Sequence, residues 1–186
     1  MESTTPRDPR DFAAELGAAE QARSRLVDRL RLPAGHHLVL ALGVAIQIAT
    51  AGVGIARQSA SGLGIVGAGL AGFAAMAAVE LWRFRRANGV WVGGLASRAM
   101  LGTGTLASLA YGGALALAVV GAFAAAWWLV VLATVAGGIG YAAGARQWWR
   151  AYVRDPATHA RGDSALVLGV LAVLACLGAA ALVVLG

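Results

Sequence analysis

Charged residues are missing from four long intervals of this 186-residue chain: 32–56, 58–79, 99–145 and 164–186. As helices rising about 1.5 Å per residue, three of these are each long enough to cross a hydrocarbon core of about 30 Å once. The interval 99–145 holds 47 residues. As one helix it would run roughly 70 Å, more than twice the core, so it must fold back and cross twice. Residues 87–97 are too few to cross. The pattern predicts an all-α fold: an integral membrane bundle of five transmembrane helices. The expected spans are about 36–56, 62–82, 101–120, 127–145 and 165–185, within a membrane domain 36–186.

The leader has a different rhythm. Residues 1–8 read as a disordered start. Asp8 can then cap a helix, with Pro9 at its first position and Asp11 in its first turn. Phe12, Leu16, Ala19, Ala22, Leu26 and Leu30 recur at three- and four-residue steps, which lays a narrow apolar stripe along one face of a helix over 9–32. Its acids are mostly early (Asp11, Glu15, Glu20) and its bases late (Arg23, Arg25, Arg29, Arg31), as the helix dipole favours. Pro33-Ala34-Gly35 ends it. An amphipathic helix of this kind either docks a cytoplasmic partner or lies on the bilayer surface.

Arginine placement orients the bundle. Arg23, Arg25, Arg29 and Arg31 precede the first span; Arg83, Arg85, Arg86 and Arg98 follow the second; Arg146, Arg150, Arg154 and Arg161 follow the fourth; only Arg57 falls on the opposite side. The positive-inside bias then puts the N-terminus in the cytoplasm and the C-terminus outside. Trp127-Trp128 and Trp148-Trp149 bracket the fourth span and Trp82 closes the second, in the manner of interfacial aromatic belts. The outer turns, residues 57–61 and about 121–126, are short, which argues against capture of ligands outside the cell. Between the second and third spans, Asn88-Gly89 signals a turn and Val90-Trp91-Val92 is expected to dip into the headgroup region. Glu80-Leu81-Trp82-Arg83 and Gln147-Trp148-Trp149-Arg150 end their hairpins alike, a pattern that a parallel repeat or interface rules alone would produce.

Composition agrees with a lipid environment: 59% hydrophobic residues, 13% charged, and mean hydropathy +0.72. The net charge is +6, and all 15 basic residues are Arg. Such a balance raises nucleic-acid binding, but no basic patch interleaved with aromatics forms a domain, so anionic lipid headgroups at the cytoplasmic face are the expected counter-charge. The only cysteine, Cys176, rules out an intrachain disulfide. Ala49-Thr50-Ala51 fits a signal-peptidase pattern, yet a polar leader carrying six acids makes a poor n-region and the apolar run continues beyond that point.

Candidate chemistry is sparse. Gly62-Leu63-Gly64-Ile65-Val66-Gly67 has the letters of a dinucleotide-binding turn but opens a membrane helix without the strand that motif needs. Gly64, Ala68 and Gly72 in the second span, and Ala136, Gly140 and Gly144 in the fourth, are small residues at four-residue spacing, expected to bury against other helices. Glu80 is the one acid inside an apolar run, where proton coupling or cation binding is the default suspicion; Arg83, three residues on, is positioned to pair with it and anchor the interface instead. Gln47 and Thr50 share a face near the middle of the first span and need hydrogen-bonding partners, with Ser108, Tyr111, Thr134 and Tyr141 able to extend a polar seam. His36-His37, and Asp155 with His159, supply too few ligands for a metal and read as surface or interfacial side chains. No catalytic, cofactor or metal site is expected. Glu80 meeting His36 or His159 in a closed cavity would be the mark of an intramembrane enzyme.

The Ala-, Glu- and Arg-rich helix over 15–32, Pro33 shortly before the first span, and the Ala/Gly/Leu-rich hairpins together resemble small uncharacterised multi-pass integral membrane proteins of high-GC bacteria. That resemblance implies a bacterial plasma membrane location and no active-site pattern. The expected function is a non-catalytic subunit or regulator of a membrane complex, packing through Gly/Ala helix faces, with a membrane or cytoplasmic protein or further copies of itself as partner. A small oligomeric transporter or channel subunit, with Gln47, Thr50 and Glu80 lining a path, is the alternative.

Overall fold

The computed structural model describes residues 30–89 and 104–155, together with residues 15–18, 21, 22, 25 and 29, which are helical apart from the links between elements. The expected fifth span with Cys176, the Val90–Val92 dip, His159 and the capping residues Asp8, Pro9 and Asp11 lie outside the described residues. Among the described residues, four helices are long and apolar enough to cross a membrane. We label them α1 (His36–Ala56), α2 (Ala60–Asn88), α3 (Thr105–Phe123) and α4 (Trp127–Arg154).

Local chemistry sets the ends of these helices. Gly35, at φ 75°, turns the chain into α1. Its carbonyl accepts from the Leu38 and Val39 amides at 3.0 Å each, while the His36 amide reaches back to the Pro33 carbonyl at 3.1 Å. The link from α1 to α2 is only residues 57–59. Gln58 takes a left-handed conformation there, at φ 44°, and the Ser59 hydroxyl caps α2 by accepting from the Gly62 amide at 3.2 Å. At the far end of α2, Gly89 is left-handed at φ 66° and its amide donates to the Arg85 carbonyl, a glycine stop with Arg85 and Arg86 in the last turn. The link between α3 and α4, residues 124–126, is equally tight.

Helix α1 runs through the middle of the bundle. It is antiparallel to α2, since Gly54 approaches Gly62, Thr50 approaches Gly69 and Gly43 approaches Met76. It is parallel to α3, with Gly52 against Ala118, and antiparallel to α4, with Gly138 against Ala41 and Ala45. Arg146 and Arg150 act electrostatically on His37, consistent with that register. The start of α1 and the ends of α2 and α4 therefore share one end of the bundle. That end carries Arg83, Arg85, Arg86, Arg146, Arg150 and Arg154; Arg57 stands at the other.

Small residues hold α1, α3 and α4 together. Lipid tails are as apolar as leucine, so close backbone approach and dispersion contacts, not exclusion of water, drive helices together in a membrane. A Cβ at Gly144 would lie 2.6 Å from the Ala107 amide nitrogen, and one at Gly138 would lie 2.5 Å from the Ala41 carbonyl oxygen. Leu40, Val44 and Ile48 of α1 fill the space between, each at most 1% exposed. Helix α2 stands apart from this arrangement. Its extensive contact among the described residues is with α1, and 11% of its apolar window is buried against 39% for α1.

Candidate functional site

The second helix continues past its apolar stretch for two further turns, and Glu80, Phe84 and Asn88 fall on one face at four-residue steps, with Arg83 beside them. That face meets residues 30–36, the segment that leads from the amphipathic leader into α1. Glu80 is 3% exposed. Its Oε2 accepts from His36 Nδ1 at 2.8 Å and its Oε1 accepts from Arg83 Nη1. Arg83 Nη2 then donates to the Ala34 carbonyl at 3.0 Å. Both carboxylate oxygens are thus occupied, which is what allows a carboxylate to remain buried at this position.

Asn88 ties the segment a second time. The Arg31 amide donates to Asn88 Oδ1 at 2.8 Å and Asn88 Nδ2 donates to the Arg31 carbonyl at 3.0 Å, so one side-chain amide pairs with both polar groups of one peptide residue. Asn88 Nδ2 also donates to the Phe84 carbonyl at 2.9 Å, which fixes the amide on its own helix. Between these polar ties lies Phe84, 1% exposed, with Leu30, Leu32 and Leu81 packed against it. The resulting clamp has a polar tie above, an apolar wedge in the middle and a polar tie below. On the other side of α2 the Arg86 guanidinium carbon sits 5.4 Å from the Trp82 ring centre.

His36 is 2% exposed, and its Nε2 is buried without a hydrogen-bond partner among the described residues. The His37 ring meets the His36 ring edge to face, with centroids 5.5 Å apart. Among the described residues no three His, Cys, Asp or Glu side chains converge as metal ligands. Glu80 does meet His36, the pair that in a closed cavity would mark an intramembrane enzyme, and Arg83 engages the other carboxylate oxygen. The geometry makes a tie between segments.

The mid-bundle polar residues divide into two kinds. Gln47, 6% exposed, accepts from the Tyr111 hydroxyl at 2.7 Å, joining α1 to α3, and the Tyr111 ring meets the Tyr141 ring of α4 edge to face with centroids 6.3 Å apart. Thr50 turns inward on its own helix, donating to the Ile46 and Gln47 carbonyls at 2.9 and 3.0 Å, and so leaves the seam. Thr134 Oγ1 is buried without a partner among the described residues.

The small residues singled out at four-residue spacing are placed unevenly. Gly144 packs against Ala107, Gly140 faces Ala110, and Ala136 is exposed, while the neighbouring Gly137 and Gly138 carry the close approaches to α3 and α1. Gly64, Ala68 and Gly72 are exposed among the described residues, and a methyl at Gly64 or Gly72 would meet nothing. The contact of α2 with α1 runs through Gly62, Gly69 and Met76 instead. These lie seven residues apart, the spacing of a helix seam, which a search at four-residue steps passes over.

From sequence, His36 is placed among surface or interfacial side chains and its meeting with Glu80 is named only as the mark of an enzyme; the structure buries it against Glu80, 44 residues away, through the antiparallel register of α1 and α2. One feature escaped the sequence reading. The reciprocal Asn88–Arg31 pairing hides behind the turn signal Asn88-Gly89. No family model matches this chain, and no curated protein or solved structure is detectably similar to it.

Proposed function

We propose that this chain is a non-catalytic integral protein of the bacterial plasma membrane, a subunit or regulator of a membrane complex that holds its N-terminal helix at the cytoplasmic face for a partner. The observation that carries this reading is the clamp. The one carboxylate buried in the described bundle ties the segment before α1 to α2, one oxygen meeting His36 and the other Arg83, which in turn holds the Ala34 carbonyl. A membrane protein that places its costliest buried charge at the exit of its leader helix has a reason to keep that helix positioned. The exposed helical residues of the leader include Leu16, 54% exposed, together with Arg25 and Arg29, a mixed surface suited to a protein partner or to anionic headgroups.

The test is affinity capture of the tagged protein from native membranes in mild detergent, with and without residues 1–32, and with the clamp variant Asn88→Ala. A partner retained by the full chain, lost on truncation and weakened by Asn88→Ala supports the reading; a partner indifferent to both changes contradicts it.

The Gln47–Tyr111–Tyr141 seam, which crosses three helices, favours a second reading as a small oligomeric transporter or channel subunit. Gln47→Leu that folds but abolishes flux in proteoliposomes would support that reading; unchanged flux would retire it.

A further inference from the structure

The arginines at the basic end of the bundle are not alike. On α2, Arg83 binds Glu80 and the Ala34 carbonyl, Arg86 lies over the Trp82 ring, and Arg85 makes a contact of its own. On α4 the arrangement is different. Gly138 meets Ala41 of α1, and Ala142 and Arg146 follow Gly138 at four-residue steps, with Arg150 one turn further. Because α4 runs antiparallel to α1, this row climbs to the start of α1, where both arginines act electrostatically on His37. Arg146 and Arg150 are exposed, and neither guanidinium makes a hydrogen bond or ion pair among the described residues. The His37 Nε2 beside them is also without a hydrogen-bond partner there, and Glu80 is taken by His36 and Arg83 on the α2 side. Among the described residues, no acid balances this corner.

Next to the two arginines the surface is apolar. Leu38 and Leu42, each three residues before a contact residue of α1, Ala41 or Ala45, are 64% and 55% exposed, and Ile139, beside Gly138 on α4, is 61% exposed. They border the α1–α4 contact on its outer flank. Two cations at the end of a membrane bundle with an exposed apolar flank next to them match the polarity of a single phospholipid.

We propose that this corner binds an anionic phospholipid of the leaflet at the basic end, its phosphate between Arg146 and Arg150 and its acyl chains along Leu38, Leu42 and Ile139. Guanidinium groups offer paired donors to phosphate oxygens, and their long stems carry the charge out to headgroup level. Trp82, 58% exposed and two residues beyond the Glu80 that meets His36, stands at nearly the same depth, where indole rings settle among headgroups. The apolar flank selects a lipid over a soluble anion, which would leave it uncovered. The proposal rests on the membrane placement of the bundle and not on the clamp or on any protein partner.

The test is native mass spectrometry of the purified full chain, released from micelles titrated with phosphatidylglycerol or with phosphatidylcholine of the same acyl chains. One phosphatidylglycerol is expected to bind roughly 30-fold more tightly than phosphatidylcholine, the preference that two arginines at an anionic headgroup supply. Arg146→Gln with Arg150→Gln should bring the two lipids to within about threefold of one another. Arg85→Gln with Arg86→Gln removes equal charge from the same end and should leave the preference within about twofold of the parent. Glycerol phosphate, which carries the headgroup charge without the chains, should not displace the bound lipid. Far-ultraviolet circular dichroism checks that the variants are folded, and the comparison of the two lipids on the parent chain needs no variant. Equal binding of the two lipids, equal losses in the two double variants, or displacement by glycerol phosphate would each overturn the proposal.

Discussion

The α3–α4 hairpin and α2 solve the same packing problem with opposite faces. In the hairpin the small residues point inward, Gly144 onto Ala107 and Gly140 onto Ala110, and the bulky ones outward, with Val131 63% and Ile139 61% exposed. In α2 a small-residue stripe points outward while Gly62, Gly69 and Met76 face α1. One face of α2 thus packs on α1 while its small-residue face is exposed among the described residues, whereas the outward faces of the hairpin carry bulky side chains. The difference extends to polar groups. The hairpin gives one hydroxyl, that of Tyr111, to Gln47 of α1 in mid-bundle, while Glu80, Arg83 and Asn88 at one end of α2 grip the leader segment.

Overpacking the hairpin should do the most damage. Gly138→Leu drives a side chain into the Ala41 carbonyl and Ala45, with no flexible group to yield, and is expected to cost about 3 kcal/mol or to prevent accumulation of folded protein. Reversible unfolding in mixed micelles, followed by far-ultraviolet circular dichroism, measures it. Glu80→Ala comes next. It leaves His36 and Arg83 without their shared acceptor and should cost about 2 kcal/mol, discounted because Arg83 can turn to solvent. The same change should speed hydrogen exchange at residues 34–36 while leaving the α3–α4 hairpin as it was.

Substitutions on packed and exposed faces then sharpen the contrast. Gly69→Leu on α2 drives a side chain into Thr50 of α1 and should cost about 1–3 kcal/mol. Val131→Ala on α4 shortens an exposed side chain and should change stability by less than about 0.5 kcal/mol. Equal effects at the two positions would erase the distinction between a face packed on α1 and an outward face.

The uncharged intervals made the helical architecture legible, because backbone groups in lipid must be satisfied within the segment and a charge inside a span is costly. The Glu80–Arg83 pair was legible for a similarly local reason, since residues three apart on a helix are neighbours. His36 was not. Its meeting with Glu80 depends on a turn of three residues that fixes how α1 lies against α2, and no local spacing encodes that register. The glycines were legible as packing residues but not as contacts. A row at four-residue steps winds around the helix, so Gly72 drifts away from Gly64 and Ala68, whereas alternating steps of four and three keep the contacting residues on one side. Thr50 was expected to seek a partner across helices and found its own backbone instead, the usual recourse of a threonine within a helix.

The clamp between α2 and the leader segment is tested most directly by a double-mutant cycle on its buried pair, His36→Phe against Glu80→Gln, with unfolding free energies measured for all four proteins in the same bicelles. The expected coupling is at least about 1 kcal/mol, with the loss in the double variant smaller than the sum of the single losses. Additivity of the two changes to within about 0.3 kcal/mol would mean that His36 and Glu80 do not act on one another and would contradict the clamp.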